Sequence, residues 1–167
     1  MEEEKEIKTP HVHWREMTDK NYLAAEQFEP GIDKIYTIKA VVMTELINPV
    51  RPEEAPDTKP VLYFKETNMK LALNSVNSET ITELYPESAG YVDGWVGKKV
   101  QLFATTTKAF NRVVPCIRIR NFIPELKCSV CGKVIDEATY FGSINKYGKP
   151  LCSKECLEKS KEGKKIL

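Results

Sequence analysis

The sequence lacks most of what would assign it a chemistry at once. Its 167 residues hold no GxSxG, no phosphate-binding glycine loop, no HExxH and no GxGxxG. Nucleophilic hydrolysis, nucleotide turnover, zincin-type proteolysis and dinucleotide binding therefore have no footing in it. The two histidines, His11 and His13, stand beside Trp14 with no third metal ligand nearby. The deaminase arrangement H-x-E…P-C-x2-C lacks its histidine. The expectation is a protein that is not an enzyme. No apolar run approaches the roughly 20 residues needed to cross a bilayer. The opening MEEEKEIK is acidic and polar, the opposite of a secretory leader. The expected setting is the cytoplasm, with no membrane partner. Net charge is absent too: 25 basic and 24 acidic residues leave +1. Any polyanion-binding surface must arise from local segregation of charge.

Charge and cysteine are in fact segregated. Residues 1–30 carry a balance of −4, residues 31–123 carry +2, and residues 124–167 carry +3. Four of the five cysteines lie in the last segment, behind Pro124. These shifts predict an acidic N-terminal arm (1–30), a central domain (31–123), and a small C-terminal module ending in the basic tail KSKEGKKIL (124–167).

The middle reads as five strands. Ile35–Met43 is rich in β-branched residues, with Tyr36, Ile38, Ala40 and Val42 on one face and Thr37 and Lys39 on the other. A proline-rich loop follows. Pro60–Lys65 and Lys70–Leu73 are the next two strands. Ser75–Tyr85 changes to helical spacing, with Asn77 or Ser78 as its cap, and Pro86 ends it. Val100–Thr106 and Val113–Phe122 complete the set, with Pro115 marking the fifth as an edge strand or a bulged one. Five strands with one helix between the third and fourth match a small Greek-key barrel of the OB-fold type. Closing the strands on one another would bury a common core that none can bury alone.

Such barrels bind on one side, across the middle strands and toward the loop between strands 4 and 5. That loop, TTKAFNR, alternates cation, ring and cation at Lys108, Phe110 and Arg112. On strand 5, Ile117 and Ile119 face one way, Arg118 and Arg120 the other. Lys39, Tyr63 and Lys65 also point away from the core by alternation. Cations neutralise phosphates and rings stack on bases for roughly 1–3 kcal/mol each. These eight residues are the candidate nucleic-acid surface. The competing reading makes the arginines the solvated side of an alternating strand, and the two rings packed parts of the barrel.

The last segment reads Cys128-Ser-Val-Cys131-Gly, a 20-residue spacer, then Cys152-Ser-Lys-Glu-Cys156. This C-x2-C…C-x3-C pattern supplies four sulfurs for one tetrahedral zinc ion. With no open coordination position the ion would be structural. A knuckle at the first pair, a hairpin turn at Tyr147-Gly148-Lys149-Pro150, and a helix over Leu151–Lys161 with Cys152 and Cys156 on one face would give a finger similar to the treble-clef group. Cys116 stands apart on strand 5.

The stretches NYLAAEQFEPG, VLYFKE, LALNSVNSETI and WVGKKVQLFATTTKAFNRVVPCIRIRNFIP resemble a group of small bacteriophage and prophage proteins. The match spans residues 21–124 and includes Lys108, Phe110, Arg118 and Arg120. The resemblance implies an OB-fold-like protein from phage replication or recombination, acting in the bacterial host cell on single-stranded DNA, or on RNA. Phage or host replication and recombination proteins are then further partners, and an oligomer is compatible with it. The zinc finger is an addition beyond the shared part. The rival expectation is a protein–protein adaptor, an assembly or host-takeover factor that uses barrel and finger as docking modules. Near-zero net charge suits that rival.

Overall fold

β-Branched and aromatic residues form the paired segments. The computed structural model describes residues 21–48 and 51–162. His11, His13 and Trp14 lie outside them. Five strands make one antiparallel sheet: β1 (Lys34–Leu46), β2 (Asp57–Phe64), β3 (Lys70–Ala72), β4 (Lys99–Ala109) and β5 (Arg112–Ile119). Their order is β3-β2-β1-β4-β5. Helix α1 (Ser75–Leu84) lies between β3 and β4 in the chain, as predicted. The fifth strand is an edge, as Pro115 requires. β1 and β4 run further than their alternation suggested, because each continues into a hairpin ladder with the next strand or its partner.

A bulge in β1 decides which residues face inward. Ile38 pairs with Phe64 but Ala40 pairs with Tyr63, so Lys39 is the extra residue. One extra residue inverts the alternation beyond it. Val41 packs on the core, while Val42, expected to share the face of Ile38, is exposed. Thr37, expected in solvent with Lys39, is buried instead. The bulge also divides the strand by partner. Residues Lys34–Thr37 pair with β4, Ile38 bonds the Gly97–Lys98 backbone just ahead of β4, and Ala40–Leu46 pair only with β2.

The core gathers Ile38, Leu62, Phe64, Leu71, Leu73, Ile81, Val100, Leu102, Ile117 and Ile119 from strands and helix. Trp95 and Tyr85 join them and pin the connector after α1. The Trp95 indole donates to Ser88 Oγ at 3.1 Å, and the Tyr85 hydroxyl donates to the Lys99 carbonyl at 2.6 Å. Phe28 is in the same core, with Leu23 and Ala25 against it. The segment 21–30, expected to belong to an arm, is thus part of this first unit.

The chain divides into two compact units at Phe122–Ile123, one residue from the expected border. The second unit contains helices α2 (Glu137–Tyr147) and α3 (Lys154–Glu162). α2 occupies the place of the expected hairpin. Asp136 caps it, its Oδ2 accepting from the Thr139 N–H at 2.9 Å, and Gly148 ends it at φ 74°. Tyr147, read as a turn residue, is the last residue of the helix. α3 starts at Lys154 and not at Leu151, so Cys152 lies in the approach to the helix.

The edge of β5 is satisfied by a side chain. Asn74, one turn ahead of the expected position, caps α1 by accepting from the Asn77 N–H at 2.9 Å. That frees Asn77, which is 1% exposed, to face β5. Its amide donates to the Ile117 carbonyl at 3.1 Å and accepts from the Ile119 N–H at 3.3 Å. The amide does the work of a neighbouring strand. Replacing Asn77 by Ala leaves both backbone groups buried without partners, which costs roughly 2–4 kcal/mol. Urea unfolding of the variant is expected to show that loss as a lower midpoint.

Candidate metal centre and nucleic-acid interface

All four predicted sulfur ligands come together. The Cys128–Cys131 knuckle is closed by the Gly132 N–H, which donates to the Cys128 carbonyl at 3.0 Å. Gly132 sits at φ 71°, a conformation that favours glycine. The Cys128 N–H donates to the Lys133 carbonyl at 2.9 Å, which makes a short antiparallel return. The Ser129 N–H donates to the Pro150 carbonyl at 2.9 Å, and the Leu151 N–H donates to Ser143 Oγ at 2.9 Å. These two bonds hold the second cysteine pair beside the first. Cys156 follows in the first turn of α3.

The four Sγ atoms lie within 4.8 Å of one another, and the Cys131–Cys152 and Cys152–Cys156 separations are 3.5 Å. A disulfide would bring two sulfurs to about 2.05 Å. All four are free thiols. Sulfurs at the corners of a tetrahedron with 2.3 Å metal bonds stand ~3.8 Å apart. The group could therefore hold a metal ion after shifts of about 1 Å or less. Burial opposes ionisation of Cys128, but backbone N–H groups of Cys131, Val130 and Cys152 overcome it and lower the thiol to about 6. The proton shared with Cys152, helped by burial, pushes Cys156 up to about 12. Thiolate charge thus collects first on the buried knuckle sulfur. A cation at the centre lets the other sulfurs ionise as well.

The eight candidate nucleic-acid residues fall at three places. Lys108, Phe110 and Arg112 form the tip of the β4–β5 hairpin, all exposed. Phe110 and Asn111 take φ of 51° and 60°, a two-residue turn of the type that suits the twist of a hairpin. Phe110 is 98% exposed. Tyr63, Lys65 and Lys39 lie on or beside β2 and the β1 bulge, with both lysines exposed and Tyr63 half-buried. Arg118 pairs across to Phe103 and donates to Asn74 Oδ1 at 3.2 Å.

Arg120 is a correction. Its Nε donates to Asp33 Oδ2 at 2.8 Å and its Nη2 to Asp33 Oδ1 at 3.1 Å, a bidentate pair. Gln101 donates to the same carboxylate at 2.7 Å. The guanidinium also lies 3.6 Å from the Phe103 ring centroid. The Arg120 bond holds the Asp33 carboxyl below its usual range, against the opposing pull of burial. This arginine is committed to fastening β5 to the segment before β1. Alternation along one strand carries no information about a carboxylate so far away in sequence.

Two further residues adjoin Tyr63. Lys70 pairs with Tyr63 across β2–β3, and Tyr22 forms a parallel bridge to Lys70. The Lys70 ammonium lies 5.1 Å from the Tyr63 ring centroid and 5.7 Å from that of Tyr22. Leu62 and Leu71 put the opposite side of these strands in the core. Ring, cation and ring thus stand in one row across the solvent side. The tyrosine-leucine segment before strand 1 was visible in the sequence, but nothing there placed it beside β3.

Comparisons with protein families, with curated proteins and with solved structures give no match. Among the described residues, no helix is long and apolar enough to cross a membrane.

Phe110 occupies a left-handed position that asparagine adopts readily, and its ring buries nothing. Phe110→Asn is expected to stabilise the protein by about 1 kcal/mol, seen as a rise of several degrees in the thermal midpoint.

Proposed function

We propose that this protein binds single-stranded DNA without catalysis, on an OB-fold-like barrel joined to a structural zinc finger. The strand order with α1 between β3 and β4 supports the barrel. So does the Asn77 amide, which links the segment after β3 to the edge of β5. Four sulfur donors favour zinc, and a closed set favours a structural role. DNA in a phage replication or recombination setting, in the host cytoplasm, follows from the resemblance of residues 21–124 to the phage and prophage group.

The observation that carries the reading is the Tyr22–Lys70–Tyr63 row. Rings to stack on bases and a cation to meet phosphate stand side by side across three chain segments. The distribution of ion pairs points the same way. Lys59, Lys98 and Arg51 have carboxylate partners. Among the described residues, Lys39, Lys65, Lys70, Lys108, Arg112 and Arg118 have none, so their charge is available to a polyanion.

Fluorescence anisotropy with labelled oligo-dT tests this. If all six cations meet phosphates, log K falls with log salt at a slope on the order of −4. Lys70→Ala and Arg118→Ala are each expected to weaken binding and flatten the slope by about 0.7. Arg120→Ala lowers stability and leaves the slope unchanged. Absence of salt-sensitive binding overturns the reading.

Elemental analysis of the purified protein is expected to find one zinc per chain, and Cys128→Ser to lose it. Colour and iron in the metal fraction would replace zinc with iron.

A further inference from the structure

The β4–β5 hairpin has an ending that stability alone does not explain. The core takes Leu102 and Ile117 from these strands and, among the described residues, nothing between them. The last five cross-strand pairs, Thr105–Cys116 to Ala109–Arg112, therefore form an arm outside the core. At about 3.3 Å per residue the arm is roughly 17 Å long. Its sides carry three threonines, two valines, Ala109, Pro115 and Cys116. Its tip carries Phe110, and among the described residues no large apolar side chain is more exposed. The ring also sits on left-handed backbone, where a bulky residue is strained. Asparagine or glycine there would relieve the strain and remove the exposed ring.

Lys108 and Arg112 flank the ring. Both are exposed, and among the described residues neither has a carboxylate partner. A ring between two free cations is a contact for a base between two phosphates. It also has the form of a wedge: apolar side chains on exposed arms open base steps in nucleic acid. Magnitudes choose the target. Opening a stacked step inside a duplex costs a few kcal/mol, and one ring returns roughly 1–3 kcal/mol. A single phenylalanine balances that cost where the step is already weakened, at the boundary between duplex and single strand. A bilayer is the poorer match, since one ring and the exposed Val113 offer little apolar area between two charges.

We infer that the Phe110 hairpin is a wedge that enters the terminal base step of a duplex at a single-strand junction, with Lys108 and Arg112 on the flanking phosphates. This rests on the nucleic-acid reading above and assigns that surface a junction as its preferred partner. The barrel row would hold the emerging single strand while the arm meets the duplex end.

The test uses the full chain and a forked DNA with 2-aminopurine in the first base pair of the duplex. Saturating wild-type protein is expected to raise 2-aminopurine fluorescence severalfold. Phe110→Asn, which suits the turn, is expected to lose the rise at protein concentrations that saturate the fork. Phe110→Trp is expected to retain it. Lys108→Ala with Arg112→Ala is expected to weaken fork binding tenfold or more at moderate salt. If Phe110→Asn opens the fork as wild type does, or if wild type binds oligo-dT without opening the fork, the wedge is overturned and the single-strand reading stands. If wild type binds neither DNA, both fall. If Phe110 is needed for sedimentation with phosphatidylserine vesicles and not for the fork signal, the tip is a membrane anchor and the wedge is wrong.

Discussion

The amide of Asn77 holds the place where a five-stranded sheet would otherwise end in unpaired backbone. β3 is three residues long and cannot offer β5 a ladder. The chain instead turns from β3 into α1, and the first turn of the helix delivers an amide with one donor and one acceptor to Ile117 and Ile119. The turn that does this, Leu73-Asn74-Ser75-Val76-Asn77, has a second task. Asn74 caps the helix and accepts from Arg118. Helix position, edge satisfaction and the aim of one surface cation are thus set by two asparagines three residues apart. An aspartate at residue 77 would lack the donor, and a leucine would fill the space but satisfy neither group.

The distribution of charge follows from the same packing. A cation near the core's edge is held by a carboxylate or a ring, as Arg120 is by Asp33 and Phe103. That pair crosses from the segment before β1 to the end of β5, so it fastens the two ends of the sheet's central path. Among the described residues, Lys108 and Arg112 at the hairpin tip have no carboxylate partner, and Lys70 beside Tyr63 has only rings for partners. Near-zero net charge therefore hides two populations: cations paired with carboxylates and cations without one. A sum over the chain cannot separate them, whereas the ion-pair geometry does.

Much of this was legible in the sequence, for physical reasons that also explain the failures. Strand segments announce themselves by β-branched content, and the helix between the third and fourth by a change of period. The four sulfurs were readable because metal geometry constrains spacing directly. The face of Val42 was not, because a bulge is one residue of register and leaves no mark in composition; Thr37 keeps its alternation with Ile38 but is buried on the other side. Helix α2 was missed because Gly148 and Pro150 look like turn residues, although Asp136 and Gly148 bracket a helix with Tyr140 and Ser143 on its buried side. Tyr22 and Lys70 were missed because they meet only through a parallel bridge across 48 residues.

The two units hold together by different means, and this bears on how each can act. The first has a core of aliphatic and aromatic side chains that persists whatever it binds. The second has a core of Cys128, Leu151 and Cys156, with Cys152 and Leu157 against it. Three of those five side chains are sulfur ligands. The apolar core of that unit and its metal centre are the same object. Removing a metal ion would leave ionisable thiols facing one another where the first unit has leucines, and too little apolar surface to order α2 and α3. The first unit is therefore ordered by its own apolar core, while the order of the second would depend on an ion held by its four sulfurs.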